Sequence, residues 1–482
     1  MTAVPPVLTR PPARSRPIIE ARPLRNPPPD TRIMGTRAWW LVGLNILLPG
    51  SAQVLAGNRR LGRLGLGATM LAWLLALLGL GLALFSRGLL ITLVANWFAL
   101  TAMQVLVLAY AVLWIVLTID TLRLARLVHL PPFSRVAAPL LSVLVLAGLI
   151  AGAAQAASMI GASRGAIETV FGQSGPSLPP SDGYYNVLLL GADSGEGRDS
   201  MRFDSISVVS INADTGAMTI TGIPRDIPGF PFSDGPMQAL YPDGHAGRGD
   251  DQCGWGPGIN QLRTEVDLCR NQYGGENLYP DALSRSSSPG VEATKDAAEG
   301  ILGIEIPYYV FIDMHGFADL VDALGGVRIT VDERLPKGGG PAWEGQPAED
   351  WAIGWIEVGT QLMSGDTAQW YARSRYTTND WDRMQRQREL QIAILQQFTP
   401  QNVLARFNDI TAAGTAMVQT DLPKDKLPEF FDLALLAKDQ PVQTIELTPD
   451  GGVDDRNPDY AHIRELVAQA LHPPTPTPTP TP

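Results

Sequence analysis

The sequence predicts an α/β (α+β) domain, a mixed central sheet with helices on both faces, preceded by an N-terminal helical transmembrane region. Three observations predict it. Apolar runs fill residues 38–158, whereas residues from 184 onward have the composition of a water-soluble domain. In that second part short β-branched runs alternate with stretches carrying helix caps and helical periodicity. The charge divides at the same place. Residues 1–180 hold 15 basic against 4 acidic side chains, a net of +11, and residues 181–482 hold 22 against 44, a net of -22.

Residues 1–37 are rich in Pro and Arg without apolar periodicity, the composition of a disordered tail. Segment 38–57 is apolar but broken by Pro49-Gly50, Ser51 and Gln53. The runs at about 66–85, 95–119 and 136–158 each supply the ~20 residues that cross a bilayer. Seven arginines precede the first segment, Arg59, Arg60 and Arg63 follow it, and Arg123, Arg126 and Arg135 precede the last, against Arg87 alone near 86–94. The positive-inside rule puts the three Arg-rich regions in the cytoplasm, makes 38–57 re-entrant, and delivers the chain beyond residue 160 outside the cell. Residues 159–183 read as a linker, 184–470 as the soluble domain, and 471–482 as a Pro/Thr low-complexity tail.

An acidic soluble domain lacks the basic footprint that duplex nucleic acid requires, so none is expected as a partner. Cys253 and Cys269 form no CxxC, and the five histidines are scattered, which argues against zinc. Outside the cytosol two cysteines sixteen apart most simply form a disulfide, with two buried thiols as the alternative. No GxxxxGK[ST] or GxGxxG phosphate loop is present.

The soluble domain opens with "NVLLLGADSGEGRDSMRFDSISVVSINADTGAMTITGIPRD" (186–226). "NVLLLG" reads as a strand buried on both faces, and "SISVVSIN" and "AMTITGI" as two more, joined by the turn "ADTG". If neighbours run alternately, the end of the first, the start of the second and the end of the third share one sheet edge. That edge would gather Asp193, Arg202, Asp204, Arg225 and Asp226. Helix 291–303, strand 308–314, helix 315–326 and strand 327–331 follow, with Gly325-Gly326 as a helix stop. Then "WYARSRYTTNDWDRMQRQRE" (370–389) packs five arginines into twenty positions. Ser364 caps a helix that ends near Arg373 and Arg375, and a second helix starts at Asn379 or Asp380 with Leu390, Ile394 and Phe398 inward. On it Arg383 and Gln387 share a face one turn apart, while Arg386 and Arg388 read as solvated.

Taken in order, "GADS", the Arg-x-Asp before the second strand, "IPRD", "YYVFIDMHGFADLVDALGGV", "YARSR" and "DWDRMQRQ" resemble the LytR-CpsA-Psr family. The resemblance spans about 186–400. It implies a membrane-anchored, multi-pass protein of the cell membrane with an extracytoplasmic catalytic domain. That domain would transfer a phospho-glycopolymer from a polyprenyl pyrophosphate carrier to a peptidoglycan hydroxyl. By motif, Asp193 and Asp204 match the acidic pair that holds Mg2+ (or Mn2+), and Arg202, Arg225, Arg373, Arg375 and Arg383 match the pyrophosphate-binding arginines. Asp380 and Gln387 match the polar positions beside the last of these, and Asp193, Asp204, Arg225 and Asp380 form the catalytic set. A diphosphate suits such residues, since guanidinium forks grip phosphate in charge-assisted pairs and a hard cation takes oxygen ligands.

The chain departs from the family pattern at Gly195, where Arg is common, and at Gly258, where Lys is common before Ile-Asn. Either a contact is missing or Arg263 supplies it. The long loop 230–290 with both cysteines is a place for acceptor or polymer preference. Two other readings compete: a hydrolase that uses water as acceptor, and a non-catalytic membrane receptor or transcriptional attenuator.

Overall fold

The computed structural model describes residues 30–86, 89–90, 92–93, 96–171, 175–192, 202–249, 252–272, 276–343, 345–374, 379–397 and 418–473. The chain divides into two compact units, residues 1–85 with 101–160 and residues 86–100 with 161–482.

In the first unit α1 (Thr31–Leu47) and α2 (Ser51–Ala56) are separated at Leu48-Pro49-Gly50, where the sequence places a break. Gly50 takes φ +97, and a Cβ there would lie 2.5 Å from the Leu66 nitrogen on α3 (Arg59–Phe85), so glycine alone lets the turn seat on that helix. Gln53, fully buried, donates to the Leu117 carbonyl and the Thr121 hydroxyl of α4 (Trp97–Ala125), both at 2.9 Å, and Asn45 donates to Thr118 at 3.1 Å. Such bonds anchor the α1–α2 pair because a buried amide left unmade is costly. Three helices are long and apolar enough to cross a membrane: α3, α4 and residues Pro132–Ala162 of α5 (Pro132–Phe171).

The second unit is built on a six-stranded mixed sheet. β1 (Tyr184–Ala192), β2 (Phe203–Asn212) and β3 (Met218–Gly222) run alternately, as the sequence predicts. β4 (Tyr308–Asp313) pairs parallel to β1, and its other neighbour is β9 (Val418–Thr420); β10 (Gln443–Glu446) pairs parallel to β3. Alternation along the strands sends Leu188, Leu190, Ile206 and Val208 to one face, against α6 (Pro289–Leu302) and the C-terminal helix Tyr460–Leu471. Tyr185, Val187, Val209 and Ile211 go to the other, against Phe430 and Leu433 of helix Leu427–Ala437. Helices therefore cover both faces of an α/β domain.

A smaller core joins two two-stranded antiparallel ladders, β5 (Val327–Val331) with β8 (Gly359–Met363) and β6 (Leu335–Lys337) with β7 (Gly354–Ile356), to α7 (Met314–Ala323), α8 (Gly365–Arg373) and α9 (Asp380–Gln397). After α7, Gly325 and Gly326 both take positive φ, and the Gly326 amide donates back to the Val321 carbonyl, which ends the helix. Leu390 and Ile394 point into this core as expected; Phe398 lies outside the described residues.

Candidate active site

The β1–β2 ladder is interrupted where it reaches the shared sheet edge. Gly191 pairs with Ser205 and Ala192 with Phe203, which leaves Asp204 as a bulged residue without a partner on β1. A bulge turns one residue out of alternation and re-aims its side chain. Phe203 can thus enter the core on one face while Asp204 and Ser205, adjacent in sequence, both line a cavity on the other. The carboxylate so presented is about one third exposed and accepts a hydrogen bond from Arg225, just beyond β3.

Burial works against the charge on Arg225, but Asp204, Asp226 and Asp380 outweigh it and raise its pKa above the ordinary value. The last of these carboxylates opens α9. Asn379 accepts from the Asp382 amide at 2.9 Å and donates its own amide to the Asp382 carboxylate at 3.0 Å, a reciprocal cap that fixes the start of the helix. Asp380 accepts from Arg383 at 3.0 Å, and one turn on the Gln387 amide reaches the Ala372 carbonyl at 3.4 Å. Asp204, Arg225, Asp380 and Arg383 are linked in turn by charge, and Gln387 lines the same cavity as Asp204. Ser364 caps α8 through the Thr367 amide, and Arg373 ends that helix with its guanidinium 5.5 Å from the Trp370 ring centre. Arg202 is exposed, two residues before Asp204. Asp193 and Arg375 lie outside the described residues.

Arg386 and Arg388 are not solvated. Arg386 is 7% exposed and donates to the carbonyls of Tyr371, at 3.0 Å, and Ser374, which clamps α9 onto α8. Arg388 is 2% exposed and faces Glu446 of β10 at 3.3 Å. Burial lowers the pKa of Arg388, partly offset by Glu446, and burial raises that of Glu446, partly offset by Arg388. The pair is accommodated because the neighbouring residue on β3 is Gly222, where a Cβ would lie 2.3 Å from the Glu446 carboxylate. Helical spacing cannot separate these arginines from Arg383, since α9 is covered on more than one side.

The cavity that Asp204, Ser205, Gln387 and Gln391 line has a volume of about 230 Å3 and is otherwise apolar, walled by Leu189, Val310, Ile312, Phe317, Leu320, Leu390 and Ile394. It lies between the sheet and α7, α8 and α9. The site therefore offers an apolar slot with guanidinium and carboxylate at its polar end. Among the described residues no group of three or more His, Cys, Asp or Glu is placed to hold a metal ion. Of the expected acidic pair Asp204 lies among the described residues, and its partly exposed carboxylate is a hard oxygen donor that suits a cation which keeps waters and takes further ligands from a phosphate.

The sequence matches the LytR_cpsA_psr family over residues 152–230 and 273–471, more than half of the chain. The chain belongs to that family. It is 26% identical over 270 residues to the polyisoprenyl-teichoic acid–peptidoglycan teichoic acid transferase TagU of Bacillus cereus, covering 55% of this chain and 69% of the relative. It is 24% identical over 328 residues to the biofilm regulatory protein A of Streptococcus mutans, covering 66% and 70%. Among solved structures, TagV of B. subtilis aligns with 19% identity and a TM-score of 0.39, over 60% of this chain and 97% of that one.

In this LytR_cpsA_psr protein, residues 231–272 lie outside the matched segments, and they hold the disulfide between Cys253 and Cys269. Within the same stretch His245, fully buried, lies 2.9 Å from both the Pro257 carbonyl and the Glu265 carboxylate, and it stacks on Phe230. The end of the stretch reaches the site. The buried Asn260 donates its backbone amide to the Arg225 carbonyl at 3.0 Å and its side-chain amide to Asp226 at 3.1 Å, and Gln261 donates to the Asn260 side-chain oxygen at 3.2 Å. A Cβ on Gly258 would come within 2.9 Å of the Arg225 carbonyl, so glycine here permits close docking on the Arg225 turn. Arg263 lies with its guanidinium 5.6 Å from the Phe203 ring and beside Asp267 at 3.4 Å. Sequence reasoning passed over Asn260 as a contributor to the site; its only signal was the Ile-Asn pair of the motif.

Proposed function

We propose that the protein transfers a phospho-glycopolymer from a polyprenyl pyrophosphate carrier to a peptidoglycan hydroxyl, at the outer face of the membrane that its apolar helices span. The observation that carries this reading is the junction of an apolar cavity with the Asp204–Arg225–Asp380–Arg383 rim. A ligand that fills both halves is an amphiphile with an anionic head, and a prenyl diphosphate has that form. The teichoic acid transferase activity named for the TagU relative supports the same substrate class.

In the reaction the acceptor oxygen forms a bond to the glycan-bearing phosphorus. The bond from that phosphorus to the bridging oxygen breaks, and polyprenyl phosphate leaves with the electron pair. Arg225 and Arg383, held by carboxylates, neutralise the phosphoryl oxygens, which is most of what phosphoryl transfer asks of a protein. Asp380, partly exposed beside Arg383, accepts the acceptor's proton. Asp204, together with Asp193, would hold Mg2+, which when bound neutralises the diphosphate further.

The test is release of polyprenyl phosphate from a lipid-linked donor by the full-length protein, with and without peptidoglycan, in Mg2+, Mn2+ or chelator. Release that depends on peptidoglycan and is accompanied by labelled wall product is expected. Release at the same rate with water alone would make the protein a hydrolase, and none under any condition would leave the receptor reading.

A further inference from the structure

Beside the apolar cavity the same unit carries a second, polar cleft of about 420 Å3, lined by Arg225, Asp226, Asp380, Trp381, Asp455 and Arg456 among others. We propose that this cleft is the acceptor subsite and binds a neutral saccharide, with Trp381 as the surface on which a sugar ring stacks; the proposal rests on the transferase reading above.

The two cavities meet at one ion pair. Asp204 lines the apolar cavity, and its partner Arg225 lines the polar cleft, so a hydroxyl bound in the cleft is next to the group that holds the donor phosphate. Asp380 also lines the cleft, and its carboxylate is positioned by Arg383 at 3.0 Å. An acceptor there finds both the reacting phosphorus and a place for its proton.

The chemistry of the walls selects the ligand. The cleft sets three carboxylates, Asp226, Asp380 and Asp455, against two guanidiniums, Arg225 and Arg456; the Asp226 side chain is 70% exposed, Arg456 is exposed and Asp455 is half-buried. Carboxylates accept hydrogen bonds and donate none, so they suit the hydroxyl and amide donors of a sugar and repel a polyanionic chain. With carboxylates outnumbering guanidiniums the cleft offers the anionic donor polymer no net attraction, and an uncharged polyhydroxy ligand can use both kinds of side chain. Trp381 supplies an apolar ring face, and its indole nitrogen donates to Asp455 at 3.3 Å, which fixes the ring's orientation.

Trp381→Ala and Trp381→Phe in the full-length protein test this, with a soluble oligomer of N-acetylglucosamine and N-acetylmuramic acid as acceptor. Trp381→Ala should raise the KM for the oligomer about tenfold, since a buried aromatic anchor is worth that order of affinity. The donor KM and the slow release of polyprenyl phosphate to water should stay as in wild type, and Trp381→Phe should restore most of the acceptor affinity. An unchanged acceptor KM, or an equal change in donor KM and water-driven release, would overturn the proposal. If wild type releases no polyprenyl phosphate at all, the transferase reading fails by itself. The oligomer is then titrated against tryptophan fluorescence. A saturable change in wild type that Trp381→Ala abolishes upholds the saccharide site, and no saturable change removes it.

Discussion

Three arginines on helix α9 lie within six residues of each other and differ in what holds them. Arg383 at the first turn joins Asp380 and, with Gln387, meets the rim of the apolar cavity. Arg386 and Arg388 turn inward, one to carbonyls of α8 and the other to Glu446 across the sheet. All three are buried, but Arg383 shares its charge with the partly exposed Asp380 at the polar cleft, whereas Arg386 and Arg388 have theirs consumed by the protein interior. Composition marks all of them equally, and what separates them is which element packs on which side of the helix.

The sharpest way to break this contrast is Arg388→Ala. Removing one partner of a buried pair leaves Glu446 uncompensated and should cost about 3–5 kcal/mol of stability. Urea unfolding followed by tryptophan fluorescence would read it, and Glu446→Gln in the same chain should recover part of the loss. A loss below 1 kcal/mol would return Arg388 to the solvated class.

The same contrast holds among carboxylates. Asp296 on α6 accepts from the Tyr279 hydroxyl at 2.5 Å, and burial pushes its pKa up to about 7, with Glu299 and Glu292 adding to the rise. The folded state therefore binds its proton more tightly than the unfolded chain does. Its contribution is fully present below about pH 4 and is lost as pH rises through about 7, roughly 3–4 kcal/mol in all. Asp296→Asn should flatten the pH dependence of unfolding between these limits and raise stability at pH 8. A slope unchanged by the substitution would refute the assignment.

At the rim, Arg383→Lys keeps the charge and loses the fork. It should cost about 2–4 kcal/mol in activation, two to three decades in polyprenyl phosphate release, with little change in the urea midpoint. Equal activity would show that Arg383 acts as a point charge. The smallest effect is expected from Asn260→Ala, which removes the side-chain bond to Asp226 while the backbone bond to Arg225 remains. A loss of about 1–2 kcal/mol, roughly 5- to 30-fold in kcat/KM, is expected. No change would mean that the backbone contact alone positions the turn.

The first three strands were legible because an apolar run and two alternating runs with a turn between them leave few other arrangements, and the caps at Ser364 and Asn379 are local chemistry. The two peripheral strands β9 and β10 were not, since each is only three or four residues long and pairs with a strand more than a hundred positions away. Asp204 and Arg225 could be brought to one edge from strand order alone. The burial of Arg388 could not, because Glu446 is remote in sequence and its accommodation depends on Gly222. The docking of Asn260 on the Arg225 turn is of the same long-range kind.

The bulge at Asp204 carries a genetic consequence. Delete that one codon and Phe203 directly precedes Ser205 in unbroken alternation, opposite Ala192, with every apolar side chain of β2 still on its proper face. The lesion that removes the carboxylate by deletion therefore regularises the ladder, whereas deletion of any residue from 206 to 211 would invert the rest of the strand. On the transferase reading proposed above, a single in-frame codon loss would leave the architecture intact and remove the carboxylate that the chemistry is proposed to use.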